Sequence, residues 1–139
     1  MSYNILIFRT DRIGDLIFSC PTIVTIKKYL KKSRITLITS TKNDSYARQL
    51  SLFDNILLFP EKNIKQRISF IFNLSKNKYD YILVLDGKDR SIISALFLKS
   101  KYKTAILARQ KIAFIWRLFR IKIFEDDEKT NLNNYYSEI

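Results

Sequence analysis

The sequence predicts an α/β fold in which a parallel sheet carries helices on both faces. Short apolar runs rich in β-branched residues alternate, along the 139 residues, with segments whose apolar residues recur at helical spacing. Strands joined through helices form right-handed crossovers and therefore pair in parallel. The chain has two glycines, Gly14 and Gly87, and each follows shortly after a predicted strand. We therefore predict one Rossmann-like domain with its ligand edge at the carboxyl ends of the strands.

Five strands are predicted where β-branched and aromatic residues cluster between polar turns. The first, residues 3–9, contains the apolar run from Ile5 to Phe8, which is typical of a buried strand. The others are predicted at residues 34–40, 55–59, 81–85 and 104–107.

Helices are predicted between these strands, from apolar residues that recur three or four positions apart. The first carries Ile23, Val24, Ile26, Tyr29 and Leu30, with Pro21 in its first turn or at a bend. A polar helix is predicted over residues 44–50 and a fourth helix over residues 90–98. The third helix carries Ile64, Ile68, Ile71, Phe72 and Leu74. The tail is predicted as a helix within residues 111–124, followed by a connector.

The net charge narrows the classes of partner without choosing among them. With 25 Lys and Arg against 13 Asp and Glu, the chain carries +12, which favours nucleic acid, an anionic membrane surface or phosphorylated small molecules. The lysines are scattered along the chain, as they are on an ordinary solvated surface. No helix-turn-helix or RNA-recognition signature is present, so we expect no nucleic-acid partner.

Cysteine and histidine content excludes several kinds of site. Cys20 is the single cysteine and histidine is absent, so a disulfide framework, a Cys/His zinc site and a Ser-His-Asp triad cannot be built. The first residues have a strand pattern rather than that of a secretion signal, and the apolar runs are far shorter than the roughly 20 residues that cross a bilayer. We expect an intracellular protein that is soluble or peripheral.

Two polar loops follow the predicted central strands. The first holds Asp15 beside Arg9, Asp11, Arg12 and Gly14, and the second holds Asp86, Gly87, Lys88 and Arg90. Neither a G-x-G-x-x-G fingerprint nor a Walker loop occurs, which disfavours NAD, FAD and P-loop chemistry. Asp15 can serve as a general base while the guanidinium groups hold phosphate. Alternatively, Asp15 caps the following helix and Arg12 pairs with Asp11 on the surface.

Residues 5–21, which read ILIFRTDRIGDLIFSCP, closely resemble the start of glycosyltransferase family 9, the ADP-heptose:lipopolysaccharide heptosyltransferases. In that family the first strand runs into a basic residue, a polar loop, Gly-Asp, an apolar pair and a proline-led helix. Residues 34–40, 53–56, 79–87 and 90–91 match later family segments in order. The resemblance covers nearly the whole chain, and the Asp-Arg-Ile-Gly-Asp segment is its most specific part.

The resemblance implies an inverting, metal-independent enzyme of the GT-B architecture, in which two Rossmann-like domains face a cleft. It implies that Asp15 is the base that deprotonates the acceptor hydroxyl and that Gly14 shapes the turn presenting it. No cofactor is implied; a nucleotide-sugar donor such as ADP-heptose and a lipopolysaccharide-type glycolipid acceptor are the substrates. The substrate-binding residues implied are Arg9, Asp11, Arg12, Gly14, Asp86, Gly87, Lys88 and Arg90. The acidic run at residues 126–128 is interpreted as a surface feature or, alternatively, a metal site.

The resemblance has one departure, because the family's second, nucleotide-sugar-binding domain has no counterpart here. Residues 1–124 are therefore predicted as the acceptor-side domain and residues 125–139 as a connector. The chain is then a fragment, a truncated product or half of a split enzyme whose partner chain supplies the rest. Its implied location is the cytoplasm, with peripheral contact to the inner membrane. Trp116, Arg117, Phe119 and Arg120 are candidates for that contact or for ordinary packing against the sheet.

A second hypothesis is a binding module, in which a lone Rossmann-like domain holds an anionic glycolipid or a partner chain without catalysis.

Overall fold

The computed structural model describes residues 2–107 and 122–125 of the chain. Six strands form its sheet: β1 (Tyr3–Phe8), β2 (Ser33–Thr39), β3 (Asn55–Leu58), β4 (Tyr79–Val84), β5 (Ser100–Leu107) and β6 (Lys122–Glu125). Four helices lie between them in sequence: α1 (Ile13–Tyr29), α2 (Asp44–Ala47), α3 (Ile64–Ser75) and α4 (Asp89–Leu96). None of these helices is long and apolar enough to cross a bilayer.

The strand order positions the ligand edge. The sheet runs β3-β2-β1-β4-β5-β6, and each pair of neighbouring strands is parallel. The chain thus winds outward from β1 to β3, crosses back to β4 beside β1, and winds outward in the other direction. In such a doubly wound sheet the connections after β1 and β4 diverge and leave a crevice at their carboxyl ends.

Two buried clusters show that helices cover both faces of the sheet, as predicted. Leu6 and Phe8 of β1 point to one face, where Leu74 of α3 and Ile92 of α4 pack on them. Alternate residues of the same strand point to the other face, where α1 and α2 contribute Leu16, Ile23 and Ala47 to a cluster with Ile5, Ile7, Ile35 and Leu37. The predicted Rossmann-like fold class is therefore confirmed.

Helix α1 begins at Ile13, well before the segment from Ile23 to Leu30 in which the sequence pattern was clearest. Its buried residues are Leu16, Ser19 and Ile23, which are three and four positions apart, so one continuous face packs on the sheet. Pro21 consequently lies inside the helix rather than in its first turn. Among the other elements, β4 and β5 begin earlier than predicted and α2 ends earlier.

The tail contains a strand where we predicted a helix. Lys122–Glu125 forms β6 and pairs in parallel with β5, so the prediction of a helix is wrong for residues 122–124. Pairing with β5 supplies hydrogen-bond partners that a pattern read along a single segment does not reveal. Residue 125, which we assigned to the connector, ends this strand. The candidate membrane residues from Trp116 to Arg120 and the acidic run at 126–128 lie outside the described residues.

Helix α3 has the predicted position but a different buried face. Leu74 is buried and Phe70 and Ile71 pack against the same cluster, whereas Ile64, Ile68 and Phe72 are exposed. The apolar spacing therefore predicted the helix correctly, while it did not identify which apolar residues meet the sheet.

Asp54 provides a pH-dependent link between the amino ends of β2 and β3. Its carboxylate accepts a hydrogen bond from the Ile35 N–H at 2.8 Å and lies 3.5 Å from the Lys27 ammonium. The backbone hydrogen bond is the larger cause that lowers the pKa of Asp54, and Lys27 adds to it. A lowered pKa in the folded state stabilises the fold above the unfolded-state value of about 4 and ceases to do so as the pH falls through the lower folded value.

We therefore expect Asp54→Asn to lower the melting temperature at pH 7, with the deficit shrinking below about pH 4. Thermal unfolding from pH 7 to pH 3 measures this. Lys27→Gln should have a smaller effect, because the ammonium is the lesser cause of the shift. A deficit of equal size at every pH would contradict the assigned role of the Asp54 charge.

Candidate functional site

The loops that follow β1 and β4 are joined by Thr10 and Asp86. Asp86 Oδ2 accepts hydrogen bonds from the Thr10 hydroxyl at 2.5 Å, the Thr10 N–H at 3.2 Å and the Ser91 hydroxyl at 2.6 Å. Its Oδ1 accepts from the Lys88 N–H at 3.2 Å. Thr10 is fully buried. We call this arrangement the Thr10–Asp86 clasp; it holds the two predicted loops side by side at the crevice.

Arg9 extends this connection to the start of α1. Its guanidinium donates to the Asp15 carbonyl through Nε at 3.0 Å and Nη2 at 2.7 Å, and Nη1 donates to the Leu85 carbonyl. The same Nη1 lies 3.2 Å from the Asp11 carboxylate. Because these contacts engage all three nitrogens of the guanidinium, Arg9 ties β1, β4 and α1 together in this structure.

Asp11 pairs with Arg9. One of the alternatives considered from the sequence, a pair between Asp11 and Arg12, is therefore wrong. Its Oδ1 is enclosed and has no hydrogen-bond partner among the described residues. Burial raises the pKa of Asp11, the charge of Arg9 opposes the shift, and the nearby carboxylates of Asp15 and Asp86 add to it. Burial, more than the neighbouring charges, therefore raises the pKa of this carboxyl group.

Asp15 lies in the first turn of α1, half-buried at the crevice. Its carboxylate accepts a hydrogen bond from the Arg12 N–H, which places it in the capping position that the sequence analysis considered. The distance is 3.3 Å, longer than a normal N–H···O bond, so the cap engages this carboxylate weakly. Asp15 therefore caps α1, and its carboxylate can still accept a hydrogen bond from a second partner.

The two glycines differ in conformation. Gly87 has φ of 58°, in the left-handed region that favours glycine, and it turns the chain from β4 into α4. Gly14 lies within α1, and a Cβ added to it would meet no atom within 4 Å. The fold therefore favours glycine at position 87 and tolerates a side chain at position 14. Open space beside Gly14 lets a ligand approach the backbone at the start of α1.

Lys88 and Arg90 place their cationic groups around the clasp. The Lys88 ammonium donates to the Thr10 carbonyl and lies 3.3 Å from the Thr10 hydroxyl. Burial lowers the pKa of Lys88, and the adjacent charge of Arg90 lowers it further. Arg90 Nη2 donates to Glu61 at 2.8 Å, and its guanidinium carbon lies 5.5 Å from the centre of the Phe59 ring.

The loops after β2 and β3 also belong to this edge, and the sequence analysis missed their residues. Asn43 is buried; its side chain donates to the Arg9 carbonyl at 2.7 Å and accepts from the Ser40 N–H at 3.0 Å. Glu61 neutralises Arg90, and Arg67 donates to the Glu61 carbonyl at 2.7 Å. The available signal was their position after parallel strands, since all carboxyl ends meet at one edge.

The structure thus joins Arg9, Asp11, Asp15, Asp86, Lys88 and Arg90 in one connected edge, while Arg12 is exposed and bonds to it through its backbone. Cationic side chains beside half-buried carboxylates can hold a phosphate and place a hydroxyl near a base. Within residues 2–107 and 122–125, no three acidic, cysteine or histidine side chains are placed to share a metal ion.

The order β3-β2-β1-β4-β5-β6 and a polar crevice at the β1/β4 switch point define a Rossmann-like domain. The chain's resemblance to glycosyltransferase family 9 is confirmed. It is 25% identical over 137 residues to lipopolysaccharide heptosyltransferase 1 of Campylobacter coli, covering 97% of this chain and 37% of the relative. No protein-family profile matches the chain.

Two solved structures share the fold. The glycosyltransferase family 9 protein of Veillonella parvula superposes with a TM-score of 0.73 at 20% identity, over 92% of this chain and 37% of that one. The E. coli heptosyltransferase WaaC with ADP-2-deoxy-2-fluoro heptose gives 0.71 at 13% identity, over 91% and 44%. The chain therefore spans less than half the length of the proteins it matches and has the fold of their N-terminal portion.

The two glycines generate a matched prediction. Gly87→Ala should destabilise the fold by about 1–2 kcal/mol, because a side chain at positive φ is strained. Gly14→Ala should instead stabilise it, by less than about 1 kcal/mol, because alanine favours the helix. Urea unfolding of both variants measures the effects. A loss of stability in Gly14→Ala would show that position 14 is constrained by the fold itself.

The Thr10–Asp86 clasp leads to a second prediction about stability. Asp86→Asn should lower the free energy of unfolding by about 2–3 kcal/mol, because an amide replaces a charged acceptor and turns a donor toward other donors. Ser91→Ala removes one of these donors and should cost about 1 kcal/mol. Equal stability of Asp86→Asn and the parent chain would remove the clasp as the link between the loops.

Proposed function

We propose that this chain is the acceptor-side half of a glycosyltransferase that moves a sugar from a nucleotide-sugar to a lipopolysaccharide-type glycolipid. The position of Asp15 carries the proposal, because its half-buried carboxylate lies at the crevice between β1 and β4. Sequence similarity to lipopolysaccharide heptosyltransferase 1 of Campylobacter coli supports the assignment. The proposed location is the cytoplasmic face of the inner membrane, where such an acceptor presents its sugars.

Asp15 is the carboxylate best placed to act as general base. A base needs an oxygen that reaches the substrate hydroxyl, and the weak cap from Arg12 leaves the Asp15 carboxylate able to accept it. The neighbouring carboxylate of Asp11 is instead paired with Arg9 and has one oxygen enclosed. With Asp15 taking the proton, the acceptor oxygen displaces the nucleotide diphosphate directly, which inverts the sugar carbon and requires no metal ion.

The predicted substrate contacts divide into two groups in this proposal. Arg12 and Lys88 hold phosphate groups of the acceptor, and Gly14 gives the acceptor access to the backbone. The remaining predicted residues position these groups, because their polar atoms are engaged within the chain or they shape the loop. They are Arg9, Asp11, Asp86, Gly87 and Arg90, whose guanidinium is paired with Glu61.

In this proposal the donor binds outside the acceptor-side domain. We propose that a second Rossmann-like domain, in frame or as a separate partner chain, binds a nucleotide-sugar such as ADP-heptose. The E. coli relative was solved with ADP-2-deoxy-2-fluoro heptose, which supports a donor of this class. No cofactor enters the proposed reaction.

A second candidate function is a non-catalytic domain that binds an anionic glycolipid or a partner chain. The capping contact of Asp15 favours it, since a carboxylate that accepts the Arg12 N–H already has a structural role. The two functions share the acceptor site and differ in transfer, so measuring binding and transfer separately distinguishes them.

The base assignment predicts that Asp15→Asn lowers transfer by about 10²–10⁴-fold while acceptor binding persists. Transfer of radiolabelled heptose from ADP-heptose to purified inner-core glycolipid is measured for the chain alone and with its second domain or partner chain. Acceptor binding is measured on the chain alone by isothermal titration calorimetry.

Asp89→Asn is the matched control for the charge change. Asp89 is an exposed acid at the same sheet edge and, like Asp15, lies in the first turn of its helix, α4. We expect near-parental transfer from this variant. Full transfer by Asp15→Asn would exclude Asp15 as the base, whereas acceptor binding without transfer in every context would favour the non-catalytic domain.

A further inference from the structure

Helix α3 presents a row of large apolar side chains to solvent. Ile64, Ile68 and Phe72 are 69%, 62% and 64% exposed. They are spaced four residues apart and therefore lie on one side of the helix. We call these three residues the α3 stripe. A stripe of this kind is unusual on a surface that meets only water.

The exposure does not arise from a poorly formed helix. The opposite side of α3 is anchored by Leu74, Phe70 and Ile71, which pack against the core cluster. The amino end is capped by the Asn63 side chain, which accepts hydrogen bonds from the N–H groups of residues 65 and 66 at 2.9 and 3.4 Å. The stripe is thus held on a regular helix of about 18 Å.

Positive charge surrounds the stripe. Helix α3 contains no acidic residue, and basic side chains lie on it and at both of its ends: Lys62, Lys65, Arg67, Lys76 and Lys78. The Lys76 ammonium lies 5.1 Å from the centre of the Phe72 ring, so cation and apolar surface are presented together. Glu61, which precedes the helix, is already paired with Arg90.

We propose that the α3 stripe docks on an anionic lipid surface. The apolar side chains enter the boundary between headgroups and acyl chains, and the lysines at either end contact lipid phosphates, which is how basic amphipathic helices bind membranes. Charge argues against a second copy as the occupant, because each chain carries +12. The inference does not depend on sugar transfer.

Helix α1 also exposes apolar residues, but it fits a lipid surface less well. Phe18 and Tyr29 of α1 are 83% and 76% exposed, but the polar Thr22 and Thr25 lie between them on that side of the helix, so they form no continuous apolar row. Ile17 and Val24 are 46% and 49% exposed, less than any member of the α3 stripe. The first turn of α1 carries the acidic Asp15, and the basic residues within the helix, Lys27 and Lys28, lie at its carboxyl end, with Arg12 just before its start. The core clusters place α1 and α3 on opposite faces of the sheet, so one flat membrane cannot contact both.

Co-sedimentation of the 139-residue chain with vesicles tests the proposal. We expect binding to vesicles that contain phosphatidylglycerol and little binding to pure phosphatidylcholine. Ile68→Ser combined with Phe72→Ser should reduce partitioning by more than about tenfold. Each Lys→Gln change among residues 62, 65, 76 and 78 should reduce it by about fivefold at low salt.

Ile17→Ser combined with Phe18→Ser is the matched control, which removes an exposed isoleucine and an exposed phenylalanine from the other sheet face and should bind as the parent does. Circular dichroism and melting temperature establish that all variants fold. The proposal would be overturned if the α3 variant bound vesicles as the parent does, or if binding were lost in the α1 variant or in Trp116→Ala alone. It would also be overturned if the chain formed concentration-dependent dimers that the α3 variant abolishes. Vesicle binding is read without donor or acceptor, so its failure is separate from failure of the proposed transfer.

Discussion

The contact between Thr10 and Asp86 is the constraint on which the rest of the site depends. Parallel pairing aligns β1 with β4, yet the loops after them lead into helices on opposite faces of the sheet and have no ladder to hold them together. The carboxylate of Asp86 supplies that link, by accepting hydrogen bonds from both loops and from α4. Arg9 then sets the start of α1 against the same edge. Each proposed binding group projects from a segment held in this way.

Charge at this edge is arranged in layers. The enclosed contacts pair opposite charges, as between Arg9 and Asp11 or between Glu61 and Arg90. Arg12, outside these pairs, remains exposed. Because a buried charge destabilises the fold unless it is paired and hydrogen-bonded, the inner pairs serve geometry, whereas the exposed Arg12 is available to a ligand. The net charge of the chain does not distinguish the paired side chains from the exposed ones.

The sequence predicted the architecture well because its main signals are local. Apolar runs located β1 and β2, and helical spacing located α3 and α4. The wrong predictions concerned features that depend on residues distant in the sequence. Strand β6 depends on pairing with β5, and the buried side of α3 depends on where the sheet lies. For the site, two loops were predicted from glycine and carboxylate positions. The roles of Thr10 and Asn43 were missed because an ordinary threonine or asparagine gives no signal until the strands place it beside its partner.

The strand order has a consequence for synthesis of the chain. β1 emerges first but occupies the centre of the sheet, where it pairs with β2 on one edge and β4 on the other. Its second edge therefore stays open on the ribosome until residues 79–84 have been made, and an open apolar edge favours wrong pairing. The crevice between β1 and β4 therefore forms only after β4 has been made. A nascent chain halted earlier contains the loop with Asp15 but lacks the strand and carboxylate that give it a shape.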